Sequence, residues 1–334
     1  MINDFTCYQV QKNEQKEITA GLQTVSPDAL PPGCVTIRVI YSSINYKDAL
    51  AATGHPGIVR NFPHVPGIDA AGLVVQSDSD QFTVGQSVIV TSYELGVERW
   101  GAWSEFIRVQ PEWIVPLPAG LTLKEAMILG TAGLTAAMCV TSLLHHGIDI
   151  DSGDILVTGA SGGVGSFAIS LLNQIGFSVI AVSGKTALQN RLIELGAKQV
   201  IDRSAVDTGS EKPLLKTQWA AAIDTVGGSL LSHLIRSIQP NGCVAACGNA
   251  GGVELDLTVF PFILRGITLA GIDSAWYPIE KRTALWEKLA TDWKLPDLDS
   301  RANLITLDQV PATVDSILEG SHQERTIIQI AEEP

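Results

Sequence analysis

Residues 155–166 read Ile-Leu-Val-Thr-Gly-Ala-Ser-Gly-Gly-Val-Gly-Ser. A short apolar strand runs into a glycine-rich turn, and an apolar helical pattern follows at Val164, Phe167, Ala168, Leu171, Leu172 and Ile175. This strand–turn–helix can hold a pyrophosphate: a helix N-terminus offers unpaired N–H groups and a positive dipole end. Gly162 lets the backbone approach the phosphates and Gly165 lets the helix pack on the strand. Ala160 replaces the first glycine of the usual GxGxxG. The next strand ends in Ser183-Gly184-Lys185. A fold built for NAD places an acid there to hold the ribose hydroxyls. Ser183, Lys185 and, after the following strand, Arg203 suit a 2′-phosphate through charge-assisted hydrogen bonds. The chemistry expected is binding of NADPH rather than NADH.

These groups need a scaffold that presents strand ends in a row. The pattern predicts strands at 154–158, 178–182, 199–201, 220–224 and 242–247, with helices at 164–175, 186–195 and 228–238. Such alternation predicts a parallel, doubly wound sheet. Asp224 stands at a strand end expected to face the cofactor crevice. A last strand is expected at 267–273, and a helix at 280–292. The first third reads as β-rich, with strands near 34–41, 71–75, 87–90 and 101–109, suggesting a small barrel. Val35, Ile37 and Val39 are expected on one face of the first of these. Helical patterning covers 124–129 and 133–145. A tail helix (311–318) and strand (326–330) could return to the barrel.

The 334 residues suffice for two domains, and 46% are apolar. The net charge of −13 disfavours nucleic acid and anionic membranes, so an anionic ligand must be held locally. The start, Met-Ile-Asn-Asp-Phe-Thr, lacks a signal pattern, and no apolar run reads as a membrane span. Five scattered cysteines form neither a disulfide framework nor a zinc cage. The expected address is cytoplasmic.

Asn45-Tyr-Lys-Asp48, Phe62-Pro-His-Val-Pro-Gly-Ile-Asp69, the glycine turn, Ser-Gly-Lys185, Ala-Ala-Ile-Asp-Thr-Val-Gly227, Asn-Gly-Cys-Val-Ala-Ala-Cys-Gly248, Pro-Phe-Ile-Leu-Arg265 and Gly-Ile-Asp-Ser274 are present together. The chain resembles the zinc-free medium-chain dehydrogenase/reductases, and within them the acryloyl-CoA reductase branch of YhdH/YhfP-type, quinone oxidoreductase-like proteins. The resemblance implies an α/β fold: a GroES-like β-barrel catalytic domain (1–125 and 275–334) plus a doubly wound Rossmann domain (126–274). It implies a homodimer. It also implies NADPH-dependent reduction of acryloyl-CoA to propanoyl-CoA. The family's cofactor contacts fall on Tyr46, Ser161, Gly162, Gly163, Val164, Ser183, Gly184, Lys185 and Arg203, then on Asn249, Ile263 and Ser274. Lys185 stands where the family often has Arg, and Asn249 where it usually has an apolar residue. Asn45 and Ile68-Asp69 replace the cysteine and the histidine–glutamate pair of zinc-dependent relatives, so no metal is expected.

Such a reaction needs hydride at the β carbon, stabilisation of charge on the thioester oxygen and a proton at the α carbon. Tyr46 is the first candidate for proton donor or substrate-orienting group. Asp48 or Lys47 could tune it or act in its place, and Asn45 could donate to the oxyanion. Alternatively, Tyr46 only contacts the nicotinamide and Asp48 caps a helix beginning near Ala49. Arg60 and Arg325 are possible partners for CoA phosphates, or else ion-pair residues. The same hydride donor would also serve a quinone reductase, and a non-enzymatic NADPH-binding protein is the remote alternative.

Overall fold

The computed structural model describes residues 2–323 and 325–333. The chain forms two compact units, Met1–Thr131 with Ser274–Pro334, and Ala132–Asp273.

In chain order, the first unit begins with β1 (Phe5–Lys12), β2 (Ile18–Val25), β3 (Val35–Ser43), α1 (Tyr46–Ala52), β4 (Asp69–Ser77), β5 (Ser87–Thr91), β6 (Phe106–Val109) and β7 (Ile114–Pro116). Helix α2 (Leu123–His145) leads into the second unit. There follow β8 (Ile155–Val157), α3 (Gly163–Ile175), β9 (Val179–Val182), α4 (Gln189–Glu194), β10 (Gln199–Ile201), β11 (Trp219–Asp224), α5 (Gly228–Ser237), β12 (Ile238–Ala246), α6 (Phe260–Arg265) and β13 (Thr268–Gly271). The chain returns to the first unit with α7 (Ile279–Ala290), β14 (Ala302–Ile305), α8 (Val310–Leu318) and β15 (Arg325–Gln329).

The second unit carries a six-stranded parallel sheet in the order β10-β9-β8-β11-β12-β13. Counting from β8, this is the 3-2-1-4-5-6 order of doubly wound dinucleotide folds, whose ligands lie beyond the strand C-termini where the order reverses. The reversal falls between β8 and β11. Leu156, Ile180, Ala222 and Val244 contribute one core from four neighbouring strands. Strand β12 starts at Ile238, earlier than its apolar run suggested.

The first unit holds a largely antiparallel sheet, β14-β15-β3-β4-β5-β7, with β6 also paired to β3. The expected strand over 101–109 is confined to β6, and the hairpin β1–β2 was not read from sequence. Nor does β3 expose a polar face. Val35, Ile37 and Val39 join one core while Ile40, Ser42 and Ser43 are also buried. Its several partner strands leave it little solvent. Helix α1 packs on α8, so the two ends of the chain meet inside this unit.

Two helix expectations change. α1 begins at Tyr46 rather than near Ala49. α2 is long and apolar enough to span a membrane by length and composition, against the sequence reading, but most of it is buried in the protein. It breaks at Gly130 (φ 50°, ψ −153°), between the two helical stretches read separately from sequence.

Candidate active site

In the second unit, the turn after β8 delivers Gly162 to the N-terminus of α3 as its cap, with Gly162 and Gly163 exposed. A Cβ at Gly165 would stand 2.8 Å from the Ala160 Cα, so only glycine lets α3 pack on the turn. Ser161 and Val164 are half-buried beside it. At the end of β9, the Ser183 hydroxyl accepts the Lys185 N–H (3.1 Å), and the Ser183 N–H donates to Ile201 O (3.1 Å). That bond draws in the segment after β10. Arg203 Nε comes within 3.7 Å of where a Gly184 Cβ would lie. Ser183, Gly184, Lys185 and Arg203 therefore share one corner, with Arg203 Nε beside Gly184 and the Lys185 backbone held by Ser183. The nearby Asp202 carboxylate accepts the Ser204 N–H (2.9 Å) and hydroxyl (2.7 Å), which hold its pKa below the usual value. Asn249 and Ile263 are exposed, following β12 and on α6.

Asp224 differs from expectation. Its carboxylate is fully buried, accepting the Thr158 hydroxyl (2.6 Å) and the Gly227 N–H (2.7 Å). Burial raises its pKa. It ties the ends of β8 and β11 together rather than facing a crevice.

In the first unit, Tyr46 is the first residue of α1 and 58% exposed. Its neighbours Asn45 and Lys47 are half-buried, and Asp48 is fully buried. Asn45 and Asp48 form a capping box. Asp48 Oδ2 accepts the Asn45 N–H (2.8 Å) and Nδ2 (3.0 Å), while Oδ1 accepts the N–H groups of Gly67 (3.1 Å) and Ile68 (2.8 Å). Burial, then the nearby Asp69 charge, push its pKa up to about 6 against these hydrogen bonds. Asp69 accepts from the Ser43 hydroxyl (2.6 Å), Asn45 Nδ2 (2.9 Å), the Thr131 N–H (3.0 Å) and the Thr131 hydroxyl (2.5 Å).

Of the two roles open to Arg325, CoA-phosphate partner or ion-pair residue, the structure shows the ion pair, inside this cluster. Arg325 pairs with Asp69 at 3.4 Å and donates to Ile44 O (2.8 Å), Asn45 Oδ1 (3.0 Å), Ile128 O (3.0 Å) and Met127 O (3.3 Å). Burial lowers its pKa, opposed by Asp69 and Asp48. Arg60 is exposed and 3.5 Å from Glu98. Asn45 spends both ends of its amide internally, which leaves it poorly disposed to donate to a substrate oxyanion. Sequence reading missed this cluster. Ser274 offers its carbonyl to Arg282 (2.9 Å), a fully buried cation that also binds Thr91 and lies over the Tyr93 ring.

The donor set does not fit zinc. Among the described residues no group of three or more His, Cys, Asp or Glu could hold a metal. His64 is buried with Nε2 on Gly96 O (3.0 Å), and His55 Nδ1 accepts the Gly57 N–H (3.1 Å).

Residues 31–119 match the alcohol dehydrogenase GroES-like domain, and residues 163–290 match the zinc-binding dehydrogenase domain. YhfP of Bacillus subtilis, a protein named for quinone oxidoreduction, is 45% identical, with 98% of this chain and 99% of that protein covered. Acrylyl-CoA reductase AcuI of Ruegeria pomeroyi is 39% identical, with 98% and 99% covered. A crystal structure of the YhdH oxidoreductase from Salmonella enterica in complex with NADP superposes with a TM-score of 0.94 at 43% identity, covering 98% of this chain and all of that one. Bacillus subtilis YhfP with NAD bound gives 0.95 at 44%, with the same coverage. The chain belongs to the medium-chain dehydrogenase/reductases, as an oxidoreductase related to YhdH, YhfP and AcuI.

Proposed function

We propose that this protein is an NADPH-dependent reductase of a short α,β-unsaturated acyl-CoA, taking acryloyl-CoA to propanoyl-CoA. The carrying observation is the corner of Ser183, Gly184, Lys185 and Arg203 beside the glycine turn, which suits a dinucleotide bearing a 2′-phosphate. The substrate class rests on the AcuI relative. Ser161, Gly162, Gly163 and Val164 would hold the pyrophosphate, and Tyr46, Asn249, Ile263 and Ser274 the nicotinamide end. Bound NADPH supplies a hydride to the substrate's β carbon.

The residues of the first unit handle charge and proton. Negative charge gathers on the thioester oxygen, and a proton must reach the α carbon. Tyr46 is the proposed donor, directly or by orienting the substrate for a proton from water. Asn45 and Asp48 act behind it by fixing the start of α1. Zinc has no part in this scheme.

Following absorbance at 340 nm with acryloyl-CoA and a simple quinone offered in parallel, and NADH as control, tests the proposal. Fast oxidation of NADPH by acryloyl-CoA supports it, and turnover with quinone alone overturns it in favour of a quinone reductase. Tyr46→Phe is expected to lower turnover roughly 10²-fold, within the range for a positioned acid, while leaving stability unchanged.

We also propose a cytoplasmic homodimer. All five cysteines are free thiols, as a reducing compartment favours. Strand β13 is a sheet edge, and Val259, Phe260 and Leu264 nearby in sequence are exposed apolar residues that a second copy would cover.

A further inference from the structure

We propose that Arg325 is a positioning residue for Tyr46, an assignment that rests on the reductase reading above. Arg325 and Asp69 hold opposite ends of one amide. Arg325 Nη1 donates to Asn45 Oδ1 at 3.0 Å, and Asn45 Nδ2 donates to Asp69 Oδ2 at 2.9 Å. The same Nη1 holds Ile44 O at 2.8 Å. Both residues that lead the chain into Tyr46 are therefore pinned by one guanidinium. The exposed phenol stands on a buried, fully hydrogen-bonded base.

The energetics favour a geometric role. Burying a guanidinium and a carboxylate costs several kcal/mol of desolvation for each ion on the order-of-magnitude scale, and an apolar filling of equal volume often stabilises as well or better. What the pair supplies instead is direction: a planar fork fixes distances and angles that apolar packing leaves loose. The rest of the unit is shaped around it. A side chain at Gly130 would collide with both Arg325 Nη2 and Asp69 Oδ2, and α2 breaks at this residue. The carbonyls just before the break, Met127 and Ile128, turn to the other edge of the guanidinium. Thr131, just after it, donates twice to Asp69. A change at Arg325 thus reaches the reacting region through Asn45 and Tyr46.

The test is a double-mutant cycle read on the purified full chain with NADPH and whichever acceptor turns over. Arg325→Lys and Asn45→Ala should each lower kcat roughly 10- to 100-fold with KM for NADPH unchanged, the scale of a misplaced reacting group. Adding either change to Tyr46→Phe should lower kcat no further. A loss of the same size in the Tyr46→Phe background, or an unchanged kcat, overturns the proposal. Should Arg325→Lys fail to fold, Asn45→Ala carries the same readings, because it keeps the Arg325–Asp69 pair. Fluorotyrosine labelling adds a readout independent of turnover, since the chain has five tyrosines and Tyr46→Phe assigns the signal. The Tyr46 19F resonance should shift or broaden in both variants, and an unmoved resonance overturns the proposal. If the wild-type protein reduces neither acyl-CoA nor quinone, the reductase reading falls by itself and this resonance still decides the positioning role.

Discussion

Asp48 reaches beyond its own helix to Ile68, whose backbone N–H it binds at 2.8 Å, while its other oxygen caps α1 at Asn45. One carboxylate thereby joins the start of α1 to the turn leading into β4. Its pKa is raised by burial, and then by Asp69, from 3.8 to about 6. The folded protein therefore holds this proton more tightly than the unfolded chain. Its contribution to stability is fully present below pH 3.8, declines as pH rises to about 6, and is flat above that.

Asp48→Asn should remove that slope. The amide also turns a donor toward N–H groups that need an acceptor, at about 1–3 kcal/mol for each buried group left unpaired. Thermal unfolding from pH 4 to 8 should show a lower Tm throughout and a larger wild-type-minus-variant gap near pH 4 than near pH 7. A gap independent of pH would contradict the assignment.

Coenzyme choice should follow the corner at the ends of β9 and β10. Charge-assisted hydrogen bonds are worth roughly 1.5–3 kcal/mol each, about ten- to a hundredfold in affinity. Lys185→Ala and Arg203→Ala should each raise KM for NADPH by a factor in that range and leave KM for NADH nearly unchanged. Equal losses with both coenzymes would place these cations elsewhere than at a 2′-phosphate.

Gly130→Ala should be among the most damaging single-methyl changes in the first unit. Its backbone lies where L-residues are strained by about 1–3 kcal/mol, and the new methyl meets a buried ion pair. Denaturant unfolding should show a loss of at least that size. A near-neutral result would mean the pair moves aside readily.

Dialysis against a chelator should leave activity within about twofold, since no described cluster offers the three or four ligands that a zinc site uses. Loss of activity restored by zinc would refute the metal-free scheme.

The second unit was legible because its signals are local. The glycine turn, the strand before it and the helix after it are contiguous, and each later strand carries its own apolar run. The branch of the family was legible from several blocks taken together. The cluster beneath Tyr46 was not, because Arg325 and Asp69 are 256 positions apart and no periodicity spans that distance. Two weak signals existed: a glycine inside a strongly helical run at 130, and charges set among apolar strand residues, as in Gly-Ile-Asp-Ala-Ala and Arg-Thr-Ile-Ile. The capping role of Asp48 was weighed from sequence with the wrong helix start. Asn45 precedes Asp48 by the three residues of a capping box, which points to Tyr46 as the first helical residue.

The first unit is interrupted by the second, and this orders events during synthesis. A ribosome completes residues 132–273, which carry the nucleotide-binding turn, before it makes the strand that bears Arg325. The nascent protein can therefore assemble its Rossmann half while the helix bearing Tyr46 still lacks its anchor. Release of the last strand then completes both the older half of the fold and the seat of the phenol. A chain cut short before residue 325 would be a nucleotide binder without a reductase.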